Sequence, residues 1–149
     1  MSTAKAVLTK RFQASVETVY EACTDPSLLV QWLGPEAFKM ETVEADVRIG
    51  GRFWFRMSGE GGTYAAEGFY QVVDPPHKLQ LSWRWTEGPA HEPPDGVISQ
   101  LTLDFARDGD GTLLTLTHEG LPSQKQADSH AEGWGQGLEK LVKLLEDVE

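Results

Sequence analysis

The chain has 149 residues, 40% of them apolar, with five Trp, three Tyr and six Phe, enough for one domain with a buried core and too much apolar surface for a disordered chain. Thirteen Lys and Arg against 23 Asp and Glu leave a net charge of −10, which repels phosphate backbones and anionic headgroups and excludes nucleic acid and membrane surfaces as partners. The lone cysteine, Cys23, allows neither an internal disulfide nor a thiolate zinc site, and with no export signal and no stretch near the ~20 apolar residues of a membrane span the chain reads as cytoplasmic.

Val7 to Phe12 reads as a short strand. Ser15 then caps a helix through Val16, Val19, Tyr20 and Cys23, whose spacing of three and four marks one apolar face. Asp25 followed by Pro26 is a second helix start, and Leu28, Leu29 and Trp32 carry that helix to the stop at Gly34-Pro35. From Phe38 to Glu119 the period changes to two, with breaks at Gly50-Gly51, Ser58 to Gly62, Asp74 to Pro76 and Asp108 to Gly111, as in an antiparallel meander. Phe53, Phe55 and Met57 alternate with Arg52, Trp54 and Arg56; Leu79, Leu81, Trp83 and Trp85 with Gln80, Ser82 and Arg84; Leu101, Leu103 and Phe105 with Thr102 and Asp104. The insert from Thr86 to Gly96 reads as a hairpin excursion between two strands. In the last strand His118 shares its side with Leu114 and Leu116, so a polar ring on the inner face needs a partner.

Ser123 caps a long helix whose apolar residues Ala127, Ala131, Trp134, Leu138, Leu141, Leu145 and Val148 form one stripe, long enough to cross a whole twisted sheet diagonally. Gly133, Gly135 and Gly137 interrupt it at ~1 kcal/mol each relative to Ala. They serve either close helix–sheet packing or open volume beside Trp134. The elements together predict one helix lying in one curved sheet.

The chemistry available is sparse. His77, His91, His118 and His130 lack two-ligand helical spacing, so no metal and no cofactor is expected. The glycine-rich stretches lack a following Lys-Ser/Thr and open no helix, so they are turns rather than phosphate cradles. Arg52, Arg56 and Arg84 alternate outward, as solvated charges paired across strands to Asp or Glu. Trp54 on that outer face offers a contact for a homodimer or another partner.

Ala14 to Tyr20, Trp32 to Pro35, Gly50 to Phe53, Gly68 through Pro75-Pro76, Leu81 to Trp83, Gly111-Thr112, Leu116 to Gly120 and Gly133-Trp134 stand in an order that resembles one family over nearly the full length. It is the single-domain homologues of the C-terminal domain of the activator of the 90-kDa heat-shock-protein ATPase, in the START-like or SRPBCC superfamily. The resemblance implies one α+β helix-grip domain over residues 1–149: two short helices after the first strand, and a curved antiparallel sheet wrapped around a long C-terminal helix over a deep cavity.

On this register the inward residues Phe53, Phe55, Met57, Tyr70, Leu81, Trp83, Trp85, Leu103, Phe105, Leu116, His118 and Trp134 form a mostly apolar ligand-binding lining. Trp83 and Trp85 either fill the core or stack a flat ligand. His118, near Tyr70 or His130, is either satisfied by backbone or serves as an orienting or acid–base group. The leading expectation is a soluble binding module for a small hydrophobic or aromatic molecule between sheet and C-terminal helix. A chaperone-associated or stress-response interaction domain is the second, as the family resemblance implies, although the co-chaperone's additional N-terminal domain is not in this sequence. The third is a cyclase- or hydrolase-like enzyme using His118 with Tyr70 or Glu67, which requires one of those groups within hydrogen-bond reach of the imidazole.

Overall fold

A computed structural model describes residues 3–89 and 96–146. His91 with most of the Thr86 to Gly96 insert, and Val148 of the helical stripe, lie outside the described residues. In chain order the elements are β1 (Ala4–Phe12), α1 (Val16–Ala22), α2 (Pro26–Trp32), β2 (Phe38–Ala45), β3 (Arg52–Gly59), β4 (Gly62–Asp74), β5 (Lys78–Glu87), β6 (Ser99–Asp108), β7 (Gly111–Leu121) and α3 (Gln124–Glu146). The strands form one antiparallel sheet in the order β1-β7-β6-β5-β4-β3-β2. Consecutive strands from β2 to β7 pair as hairpins, and β1 closes against β7. The α1–α2 pair therefore carries the chain from one edge of the sheet to the other.

Local chemistry sets these boundaries. Ser15 Oγ accepts from the Thr18 amide at 3.2 Å and Asp25 Oδ1 from the Ser27 amide at 2.9 Å, satisfying orphan donors at the starts of α1 and α2. The Trp32 indole donates to the Ala22 carbonyl at 2.8 Å and ties α2 to α1. Ser123 Oγ accepts from the Gln126 amide at 3.2 Å at the start of α3. Period-two burial in β3 and β5 sends Phe53, Phe55, Met57, Leu79, Leu81 and Trp83 inward.

On the outer face the charges pair across strands. Glu67 of β4 lies between Arg84 Nη2 at 2.6 Å and Arg52 Nη2 at 3.1 Å, and Arg56 Nε meets Glu87 at 3.2 Å. Arg84 first and Arg52 second, by hydrogen bonding, hold the Glu67 carboxyl below the usual carboxylate range. Glu67 thus stands outside and is not a partner for His118. Trp54 is half-buried, with the Arg52 guanidinium 5.6 Å from its ring centroid.

α3 buries Ala127, Trp134, Gly137, Leu138 and Leu141. It packs most closely beside β1 and β7 and against α2, with Lys10 of β1 in an ion pair with Glu139. It reaches β5 through side chains, because the indoles of Trp83 and Trp134 meet edge to face with ring centroids 5.3 Å apart and fill the layer between helix and sheet. The three glycines of α3 divide the two roles expected of them. A Cβ at Gly137 would stand 3.2 Å from the Trp32 carbonyl oxygen, so Gly137 permits close approach to the end of α2, whereas Gly133 lines the cavity, where a Cβ would meet the Pro35 ring at 3.4 Å. At Gly135 a Cβ would make only ordinary contact, 3.7 Å from Leu8.

Candidate ligand-binding site

Where α3 stands off from β3, β4 and β5, a cavity of about 420 Å³ opens. Its helical wall is Ser129, His130, Gly133 and Trp134 from the N-terminal half of α3. Leu33, Gly34 and Pro35, which leave α2, form a second side with Phe38 of β2. Gly34 turns the chain here at φ +94°, a conformation that favours glycine. The sheet contributes Phe55, Met57, Tyr64, Trp83 and Trp85, and Glu60 stands in the turn between β3 and β4.

The aromatic walls brace one another. Trp85 meets Trp83 and Tyr64 with centroids 5.8 Å apart in both pairs, and Tyr64 meets Phe38 at 5.3 Å, all edge to face. The Trp83 indole is 2% exposed and its N–H has no hydrogen-bond acceptor among the described residues, a desolvation cost of about 1–3 kcal/mol.

Behind this wall sits a buried polar chain. Trp134 Nε1–H donates to His118 Nδ1 at 3.1 Å, and an indole nitrogen can only donate. In the neutral ring Nε2 therefore carries the proton and donates to Ser99 Oγ at 2.7 Å, and that hydroxyl passes its own proton to the Trp83 carbonyl at 3.1 Å. His118 is fully buried, and burial first, with His130 second, lowers its pKa to about 3. Trp85 repeats the pattern: its indole donates to His130 Nε2 at 3.0 Å while His130 Nδ1–H donates to the Gln126 carbonyl at 2.7 Å. Both nitrogens of His118 are occupied, and the one facing Ser99 is a donor, so His118 is not placed as a base toward that hydroxyl. Tyr70 is not a hydrogen-bond partner of His118 either; it packs against Phe53 at 6.4 Å, and burial pushes its phenol up.

Of the residues expected to line a ligand site, Phe55, Met57, Trp83, Trp85 and Trp134 stand together on the cavity wall. Phe53, Tyr70, Leu81, Leu103, Phe105 and Leu116 lie buried in the packed core, and His118 is buried behind the wall beside Trp134 and His130. The lining also holds residues that sequence reading did not select. Tyr64 carried a usable signal, since Tyr64, Ala66, Gly68 and Tyr70 alternate on β4 opposite Met57, Phe55 and Phe53. Leu33 to Pro35, Phe38, Ser129 and His130 reach the cavity only through tertiary packing. Among the described residues no group of three or more His, Cys, Asp or Glu side chains stands together as a metal site, and no helix is long and apolar enough to cross a membrane. The Cys23 thiol is buried, and burial pushes its pKa up to about 12.

Comparison with known proteins agrees with this architecture. The model of the family described as Activator of Hsp90 ATPase homolog 1-like protein matches residues 13–146. A solved structure from Chromobacterium violaceum is similar at 28% identity and TM-score 0.84, over 95% of this chain and 96% of that one. The AHSA1 protein of Silicibacter pomeroyi is similar at 26% identity and TM-score 0.83, over 96% and 98%. A Nitrosomonas europaea protein at 22% identity and TM-score 0.78, over 97% and 96%, shares the fold. Among curated proteins none matches the chain.

Proposed function

Because the chain belongs to the Activator of Hsp90 ATPase homolog 1-like family, whose helix-grip fold leaves space between helix and sheet, we propose that it is a binding module that encloses a small hydrophobic or aromatic molecule. The observation that carries this reading is the cavity of about 420 Å³ walled by Phe38, Phe55, Met57, Tyr64, Trp83, Trp85 and Trp134, a size and composition typical of small-molecule sites. Burying ~300 Å² of apolar ligand surface contributes about 7 kcal/mol before association costs, enough for micromolar to millimolar binding. On this reading residues 1–149 act as one START-like domain, in the cytoplasm, and its ligand contacts are Phe55, Met57, Trp83, Trp85 and Trp134. Binding asks for no turnover, and the His118 chain supports a structural role for that ring. Trp54, the candidate partner contact, lies beneath the Arg52 guanidinium, which weakens a chaperone or dimer interface there.

The test is calorimetric titration with flat aromatic and alicyclic probes, beside native mass spectrometry of the purified protein. Binding that raises the thermal midpoint is expected, and Gly133→Leu, which puts a side chain at the cavity wall, reduces uptake at least tenfold with the fold intact. A protein indifferent to the whole panel would overturn the reading and move the function to partner contact.

A further inference from the structure

We propose that the molecule this cavity holds is a cation: an amine protonated at neutral pH, with an apolar or aromatic body that enters among the rings while its ammonium stays beside Glu60. This rests on the cavity being a ligand site, and it names the class of ligand. Among the described residues Glu60 is the one lining residue with a formal charge, and no described Lys or Arg joins it on the wall. It is solvent-exposed in the β3–β4 turn, so its carboxylate stands at the rim rather than in the depth. Among the described residues no basic side chain pairs with it, in contrast to Glu41, Glu44, Glu67 and Glu87 of the neighbouring strands, each matched to an arginine.

The rest of the wall favours the same sign. Phe38, Tyr64 and Trp85 are aromatic, and ring faces attract cations through their quadrupoles. The net charge of −10 draws cations toward the molecule as a whole. A carboxylate-bearing ligand would meet Glu60 as a like charge, and a neutral one would make no use of it.

Three matched probes separate this from the cavity reading itself: 2-(1-naphthyl)ethylamine, 2-(1-naphthyl)ethanol and 1-naphthaleneacetate, titrated by calorimetry into the wild-type protein and Glu60→Gln. The amine is expected to bind about fivefold tighter than the alcohol, the acetate weakest, and added salt should weaken the amine alone. Glu60→Gln should bring the amine to the level of the alcohol and leave the alcohol unchanged, with an unaltered thermal midpoint. Equal binding of amine and alcohol, or an amine indifferent to Glu60→Gln, overturns the cation and leaves the apolar site standing. Failure of all three probes to bind overturns both.

Discussion

The imidazoles of His118 and His130 stand with ring centroids 4.8 Å apart, and an indole fixes each in the opposite tautomer. For His118 the consequence is a stability that depends on pH. The unfolded chain protonates this ring near its usual 6.5, the folded chain only near about 3. Between those values the unfolded state binds more protons. The stability His118 contributes is therefore complete above about pH 6.5 and falls below it by up to about 1.4 kcal/mol per pH unit, until the folded ring itself protonates. Urea midpoints should show the wild type losing about 2 kcal/mol more than His118→Gln between about pH 7 and about pH 5; parallel slopes would assign the ring an ordinary pKa. Trp134→Phe should cost about 1–3 kcal/mol at neutral pH, because Nδ1 loses its donor in a dry site, and the same denaturation series reads it. At this scale the inward face of His118 was legible, since strand alternation fixes the face from Leu114 and Leu116. Its partners were not. Ser99 and Trp134 come from a neighbouring strand and from the helix, and their meeting is a product of register and packing.

Among the elements, α3 has the clearest internal contrast. Its apolar stripe and its cap at Ser123 were readable because helical periodicity reports which side faces the core. The glycines were ambiguous, because a missing side chain leaves no pattern and its reason lies in the neighbouring element. The structure separates them by what a methyl group would meet. Gly135→Ala should stabilise by about 1 kcal/mol, as helix propensity improves and Leu8 at 3.7 Å makes ordinary contact. Gly137→Ala should forfeit that gain, since its Cβ meets the Trp32 carbonyl oxygen at 3.2 Å, and α2 is held there by the Trp32 indole. Thermal midpoints of the two variants, compared side by side, decide this; equal gains would show that α2 yields freely. The β strands carry the complementary lesson. Their alternation gave the face of Phe53, Leu81, Leu103 and Trp85 alike, but the face of a strand does not say which length of it a helix will cover.

For the molecule as a whole, that covering decides where the cavity falls. α1 packs toward β6 and β7 while α3 runs along β1 and β7, so the inner faces of β6 and β7 become core. The β3–β5 side retains space, bounded by the turn through Gly34 and by the first half of α3. Fold class, segment order and the antiparallel sheet were legible because turn residues punctuate the chain and the period switches cleanly from helical to two. The family resemblance added the cavity's existence. Its position was not legible, since it depends on the separation between Trp134 and the β5 indoles. The same physics explains why His130, on the exposed-looking half of the helix, ends beside Trp85 at the wall. The matched-probe titrations, Gly133→Leu and Glu60→Gln act at this scale, testing an enclosure that no single element provides.

The pairing of β1 with β7 has a kinetic consequence. Thr9 is opposite Thr115 and Phe12 opposite Thr112, so the first strand has no sheet neighbour until the last has formed. Closing so long a loop costs chain entropy before any hydrogen bond offsets it, and folds ruled by such distant pairings assemble slowly. α3 can seat only on the finished β1–β7 seam. On the proposed reading, a ligand that fits the enclosure between α3 and the β5 indoles meets a seam already closed and acts as a latch rather than as a template for folding.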